Sequence, residues 1–125
     1  MKRLVWVGAS KAAYVAFPGE VQDEMGYALY QAQIGKMPRQ AKPLKGFGGG
    51  GVVELRVHDA RSDAYRTVYA ANLKAGLYVL HAFKKKSTKG SATANRDLDM
   101  IERRLREARE IDAAMVAKQE NKDAP

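Results

Sequence analysis

The sequence has no cysteine, which excludes disulfide frameworks and cysteine-ligated metal sites together. Its two histidines, His58 and His81, are too few for a histidine-built metal site without carboxylate help. Long apolar runs are missing too, and no window approaches the roughly 20 residues needed to span a bilayer. The opening stretch Met1–Gly8 begins like a signal peptide, but its apolar run is too short and Lys11 soon follows. A soluble, cytoplasmic protein is expected. No cluster of acids suited to catalytic magnesium is visible, nor a serine nucleophile motif, so neither a metal nor a cofactor is expected. The chemistry left open is metal-free phosphodiester cleavage by cations, or binding alone.

What the chain does have is positive charge. The 125 residues carry a net charge of +8, which favours an anionic partner. The charge is uneven. Between Lys84 and Arg106 stand eight basic residues (Lys84, Lys85, Lys86, Lys89, Arg96, Arg103, Arg104, Arg106) and three acids (Asp97, Asp99, Glu102). Such clustering suits a polyphosphate backbone. It also suits an ordinary solvated surface.

The length suggests one domain, placed at residues 1–116, with 117–125 as a flexible tail. Residues 3–7 read as a short strand. Ser10 is a plausible N-cap for a short helix over 11–16, and Pro18 fits the first turn of a longer one. Val21, Met25, Ala28, Leu29 and Ala32 form its apolar stripe, and Gly35 and Pro38 end it. Residues 36–51 read as a loop. Three strands are predicted at about 52–58, 65–73 and 77–83, joined by links short enough for an antiparallel meander. A final helix is predicted from Ala94 to Val116, with the stripe Leu98, Ile101, Leu105, Ala108 and Ile111. The fold class is α+β, with helices on a small, mainly antiparallel sheet.

The four glycines Gly48–Gly51 do not make a phosphate loop, because no Lys-Ser/Thr follows and the next element is a strand. On the strand 52–58, alternation puts Val53, Leu55 and Val57 in the core and Glu54, Arg56 and His58 on a polar face. Arg66 lies in mid-strand and must point to solvent, a groove or a partner. If it joins the polar face, that face is cationic with one carboxylate and one imidazole. Alternation groups His81 with Leu77, Val79 and Phe83, on the side that looks like core, so it reads as a hydrogen-bonded structural histidine. A general-base role stays open for it. Lys84, Lys85 and Lys86 leave the sheet as a basic run able to hold phosphates. Tyr65, Tyr69 and Tyr78 serve either as core or as stacking faces for bases.

Several segments, in order, resemble the phage-derived, HigB-like branch of the RelE/ParE toxin superfamily. They include Val5-Trp6-Val7-Gly8-Ala9-Ser10-Lys11, Phe17-Pro18-Gly19-Glu20-Val21 and Gly26–Gln33. Ala41–Gly48, Tyr65-Arg66-Thr67-Val68-Tyr69, Leu77–Ser87 and the helix positions Asp97, Leu98, Ile101 and Arg104 complete them. The resemblance covers about residues 4–108 and implies a small twisted sheet with helices packed on one face. It further implies a toxin that cuts messenger RNA in the ribosomal A site, without metal, by attack of the ribose 2′-hydroxyl on the adjacent phosphate. The arginine of the family's Tyr-Arg strand falls on Arg66, and its basic positions after the last strand fall on Lys84, Lys85 and Lys86. Where relatives carry lysines before that arginine, this chain has Val52 and Glu54. Either Glu54 or His58 could be the base, or neither. The candidate RNA-contacting cations are Lys45, Arg56, Lys89, Arg96 and Arg103. Implied partners are a helix-turn-helix antitoxin, the ribosome and its message, and a second copy in a homodimer when free. Two other readings stand beside this one: a gyrase inhibitor of the same fold that cuts nothing, and an inactive RNA- or ribosome-binding protein.

Overall fold

The computed structural model describes residues 1–48, 51–85 and 93–124. The described chain runs β1 (Leu4–Trp6), α1 (Ser10–Val15), α2 (Gly19–Gln33), β2 (Ala41–Pro43), β3 (Val52–His58), β4 (Ala64–Ala70), β5 (Leu77–Lys84) and α3 (Asn95–Asp123). Among the described residues, the strands form one five-stranded sheet in the order β1-β5-β4-β3-β2. β1 runs parallel to β5, and every other pairing is antiparallel. The expected α+β class, the meander, the N-terminal helix pair and the C-terminal helix are all present. No helix among the described residues is long and apolar enough to cross a membrane.

Helices cover both faces of the sheet, not one. Val53, Leu55 and Val57 of β3, with Tyr69, Leu77 and Val79, pack against Val21, Met25, Ala28 and Leu29 of α2. Val52, Val68, Ala70, Tyr78 and Leu80 form the other apolar surface, and α3 lays Ile101, Leu105 and Ala108 on it. The reason is in the strands themselves. Leu77-Tyr78-Val79-Leu80 is a continuous apolar run, fully buried, and continuous runs mark strands covered on both sides.

Other differences are local. Residues 41–43, expected in a loop, form the edge strand β2 because they pair with Val53–Leu55. β4 stops at Ala70 rather than residue 73. Ser10 is not a cap. It lies inside α1, and its buried hydroxyl donates to the Val79 carbonyl at 3.1 Å, which ties the helix to β5. Gly76 lets β5 start close to β1, since a β-carbon there would stand 2.8 Å from the Arg3 carbonyl oxygen. α3 continues to Asp123, about two turns beyond the expected end at Val116.

The stripe of α3 also shifts at its far end. Ile111 is exposed, and Asp112 takes the buried position one turn after Ala108. Its carboxylate accepts hydrogen bonds from the Lys74 amide at 3.1 Å, the Ala75 amide at 2.7 Å and the Tyr78 hydroxyl at 2.8 Å. Burial works to raise the Asp112 pKa, but the Ala75 and Lys74 amides and the Tyr78 hydroxyl outweigh it and hold it below the usual carboxylate value. Asp112→Ala leaves these donors without their charged acceptor and should cost about 3 kcal/mol in urea unfolding. Because the folded pKa is depressed, the Asp112 contribution is complete above the unfolded carboxylate pKa and fades as the pH falls through the folded value. The difference in unfolding free energy between wild type and Asp112→Ala should therefore shrink in acid.

Candidate nucleic-acid interface

β3, β4 and β5 bring the polar residues together on the face that carries α3. In the ladder, Arg56 stands opposite Arg66, His58 opposite Ala64, and Glu54 opposite Val68. Arg66 in turn faces Phe83 on β5, and the Lys85 amide donates to the Ala64 carbonyl at 2.8 Å. Two arginines directly across a strand pair repel each other unless an anion lies between them. Glu54, two residues before Arg56, supplies it. Its carboxylate lies 3.3 Å from Arg66 Nη1 and 3.6 Å from Arg56 Nε.

Arg66 joins the polar face, as the alternation allowed, but α3 and its lead-in cover that face at this end. Arg66 is 1% exposed and Glu54 4%. Arg66 Nη1 also donates to Thr93 Oγ1 at 3.1 Å, and the Thr93 hydroxyl donates to Glu54 Oε2 at 3.0 Å. Glu54 and Thr93 thus both hold the guanidinium. Burial pulls the Arg66 pKa down, and Glu54 opposes that shift.

The lysine run splits at the sheet end. Lys85 is half-buried on the arginine side. Burial first, then the charges of Arg66 and Arg56, hold its ammonium below the usual lysine value. Lys84 points to the opposite face, where it pairs with Asp63 at 3.1 Å and lies over the Tyr65 ring at 5.8 Å. The hydrogen bond from Lys84 to Asp63 raises its pKa. A strand turns successive side chains to opposite faces, so Lys84 and Lys85 cannot share one phosphate while the strand geometry lasts. Lys86 and Lys89 lie outside the described residues.

His81 departs from its expected place. The register between β4 and β5 shifts at Val68/Tyr69, pairing Val68 with His81 but Tyr69 with Val79. One residue of β5 is left over, and a one-residue slip reverses which face a side chain meets. His81 therefore turns to the α3 side. Its Nε2 lies 2.9 Å from Asp97 Oδ1, and its ring stacks on Phe83 at 4.8 Å. Sequence reasoning missed this pairing along with Thr93. Asp97 drew notice only as an acid in the first turn of a helix, and nothing in a sequence marks a bulge that leaves so apolar a strand intact.

The remaining candidates are scattered. His58 is exposed at the end of β3, on the arginine side. Lys45 is exposed on the β2–β3 loop, and Arg96 and Arg103 are exposed on α3. The tyrosines belong to the core. Tyr65 packs edge-on against Phe17 at 5.0 Å, Tyr69 is buried with its pKa pushed up to about 12 by burial, and Tyr78 is buried against Asp112.

The Glu54–Arg66 pair makes a thermodynamic prediction. Removing one partner of a buried ion pair leaves an uncompensated charge and costs about 3–5 kcal/mol, whereas an apolar pair of similar volume is tolerated. Glu54→Leu should therefore be strongly destabilising in urea unfolding, and the double variant Glu54→Leu/Arg66→Met more stable than it. A double variant no more stable than Glu54→Leu would show that the pair does not govern this end of the sheet.

The fold is that of a known solved protein. The crystal structure of the isolated E. coli RelE toxin superposes with a TM-score of 0.57 at 16% sequence identity, covering 71% of this chain and 89% of that one. No curated protein matches the chain. Residues 13–106, the larger part of the chain, match the model of the family described as Phage derived protein Gp49-like (DUF891), and the chain belongs to that family.

Proposed function

We propose that this chain is the toxin of a type II toxin–antitoxin pair, a cytoplasmic endoribonuclease that cuts messenger RNA on the ribosome. The observation that carries the reading is one cluster on a RelE fold: three cations, Arg56, Arg66 and Lys85, gathered beside the carboxylate of Glu54 at one end of the sheet, with Asp97 also acting on Arg66. A phosphate has more acceptor oxygens than a carboxylate and can engage both arginines and the lysine at once. On binding, the phosphate takes the place of Glu54 beside Arg66. Glu54, released, accepts the 2′-hydroxyl proton. The 2′-oxygen then bonds to phosphorus, the bond to the 5′-oxygen breaks, and Lys85, whose pKa is already lowered, gives that oxygen a proton. The products are a 2′,3′-cyclic phosphate and a 5′-hydroxyl end. Arg56 and Arg66 stabilise the doubly charged phosphorane between them. His58, exposed on the same face, is the alternative base. The ribosome, its message and a helix-turn-helix antitoxin are the partners of this reading, with a homodimer in their absence.

The burial of Arg66 against Glu54 and Thr93 favours one other reading, an RNA- or ribosome-binding protein that cuts nothing.

Induced expression in bacteria with mapping of message 5′ ends tests both. Wild type should arrest growth and leave A-site cuts. Arg66→Ala and Lys85→Ala should each lower cutting about 100-fold, the loss typical of removing one charge-stabilising or proton-transferring group. Lys84→Ala, whose ammonium is engaged by Asp63 on the other face, should cost less than about tenfold on the same scale. Arg66→Lys, which keeps a charge for Glu54, separates lost chemistry from lost folding. Ribosome binding without cuts would establish the second reading, and growth arrest with neither would point to a non-nuclease target such as gyrase.

A further inference from the structure

A second site lies beside this cluster. The β2–β3 loop and α3 enclose a groove of about 510 Å³, within the usual range for small-ligand pockets. Its floor is apolar, made by Phe47, Leu98 and Leu105, and its rim carries Lys45, Arg106 and Arg109. One acid faces it, Glu102, which makes an exposed ion pair with Arg106 at 3.7 Å. An exposed pair of this kind is weak, so the rim stays cationic. Gly46 and Gly48 adopt left-handed backbone (φ 92° and 73°), and a β-carbon at either would meet nothing within 4 Å. The stretch Lys45–Gly48 therefore takes its shape from backbone conformation, with open space around Gly46 and Gly48.

The groove adjoins the phosphate-binding end. Leu98 follows Asp97, which holds His81. Val52, packed in the same cluster as Phe47, is two residues from Glu54, about 7 Å along the strand. An apolar floor with an aromatic ring, rimmed by cations, is what a nucleotide of single-stranded nucleic acid requires: a surface for the base and charges for the phosphates. A free phosphate would have no use for the floor.

We propose that this groove is a single-stranded RNA subsite, which seats a base on Phe47 and Leu98 and its flanking phosphates on Lys45, Arg106 and Arg109. The proposal rests on the RNA-cutting reading only for the identity of the strand. The groove takes a nucleotide next to the scissile one and so sets where the message lies relative to Arg56, Arg66 and Lys85.

The test is a fluorescence-anisotropy titration of the full chain with a labelled single-stranded RNA of about ten nucleotides, a length within known site sizes, methylated at its 2′-oxygens so that it cannot be cut. Arg106→Glu/Arg109→Glu should weaken binding about tenfold or more and flatten the log–log salt slope by about 1.4, at roughly 0.7 for each phosphate no longer neutralised. Phe47→Leu, which keeps an apolar side chain and removes the ring, should weaken it about fivefold. Lys118→Glu/Lys122→Glu makes the same charge change on exposed residues toward the far end of α3 and should leave affinity near wild type. Equal losses in both double variants would overturn the proposal in favour of diffuse attraction. So would unchanged RNA affinity in Arg106→Glu/Arg109→Glu, including the case in which that variant loses affinity only for an acidic, leucine-containing helical peptide. Message-end mapping keeps the two readings apart. Cutting by wild type with no effect of the groove variants on RNA affinity sinks the subsite alone. Groove-dependent binding by a wild type that never cuts sinks the nuclease alone.

Discussion

A buried guanidinium must have a counter-charge, and much of this end of the sheet is arranged to give Arg66 one. Glu54 reaches it across one strand pairing, and Thr93 reaches it from the lead-in to α3. Arg56, directly opposite in the ladder, draws on the same carboxylate from a more exposed position. The register thus gathers three cations at one end of the sheet. Glu54 lies against both arginines, Asp97 also acts on Arg66, and a lysine with lowered proton affinity stands beside them. An open row of arginines would repel itself.

α3 connects this chemistry to the fold. Its first turn fastens to the sheet through Asp97 and His81, its middle covers the second apolar surface with Ile101, Leu105 and Ala108, and Asp112 secures the turn between β4 and β5. One element therefore closes the core, covers the cationic cluster and forms a wall of the groove beside it. Polar interactions at Asp97 and Asp112 flank the apolar packing between them.

Much of the architecture was legible in the residues. Helical spacing of apolar side chains placed α2 and α3, short links gave the meander, and alternation along β3 put Glu54, Arg56 and His58 on one face. These are local periodicities, and a helix or a strand imposes them wherever it packs. The resemblance to RelE-type toxins, carried by segments such as Tyr65–Tyr69 and Leu77–Ser87, pointed to the fold found here. The continuous run Leu77–Leu80 was also a readable sign that helices cover both faces, though the expectation was for one.

What the tertiary structure alone decided is which side chains meet. A bulge one residue long turned His81 from the α2 face to Asp97, and strand geometry sent Lys84 and Lys85 to opposite faces although they are neighbours in sequence. Asp112 rather than Ile111 entered the core because amide and hydroxyl donors from a distant turn awaited a carboxylate there. The sequence by itself determined the elements, their polarity and the surplus of positive charge, since each follows from residue type and spacing along one chain. Pairing, burial and neutralisation of those charges depend on residues far apart in the chain coming together, and only the folded arrangement specifies them.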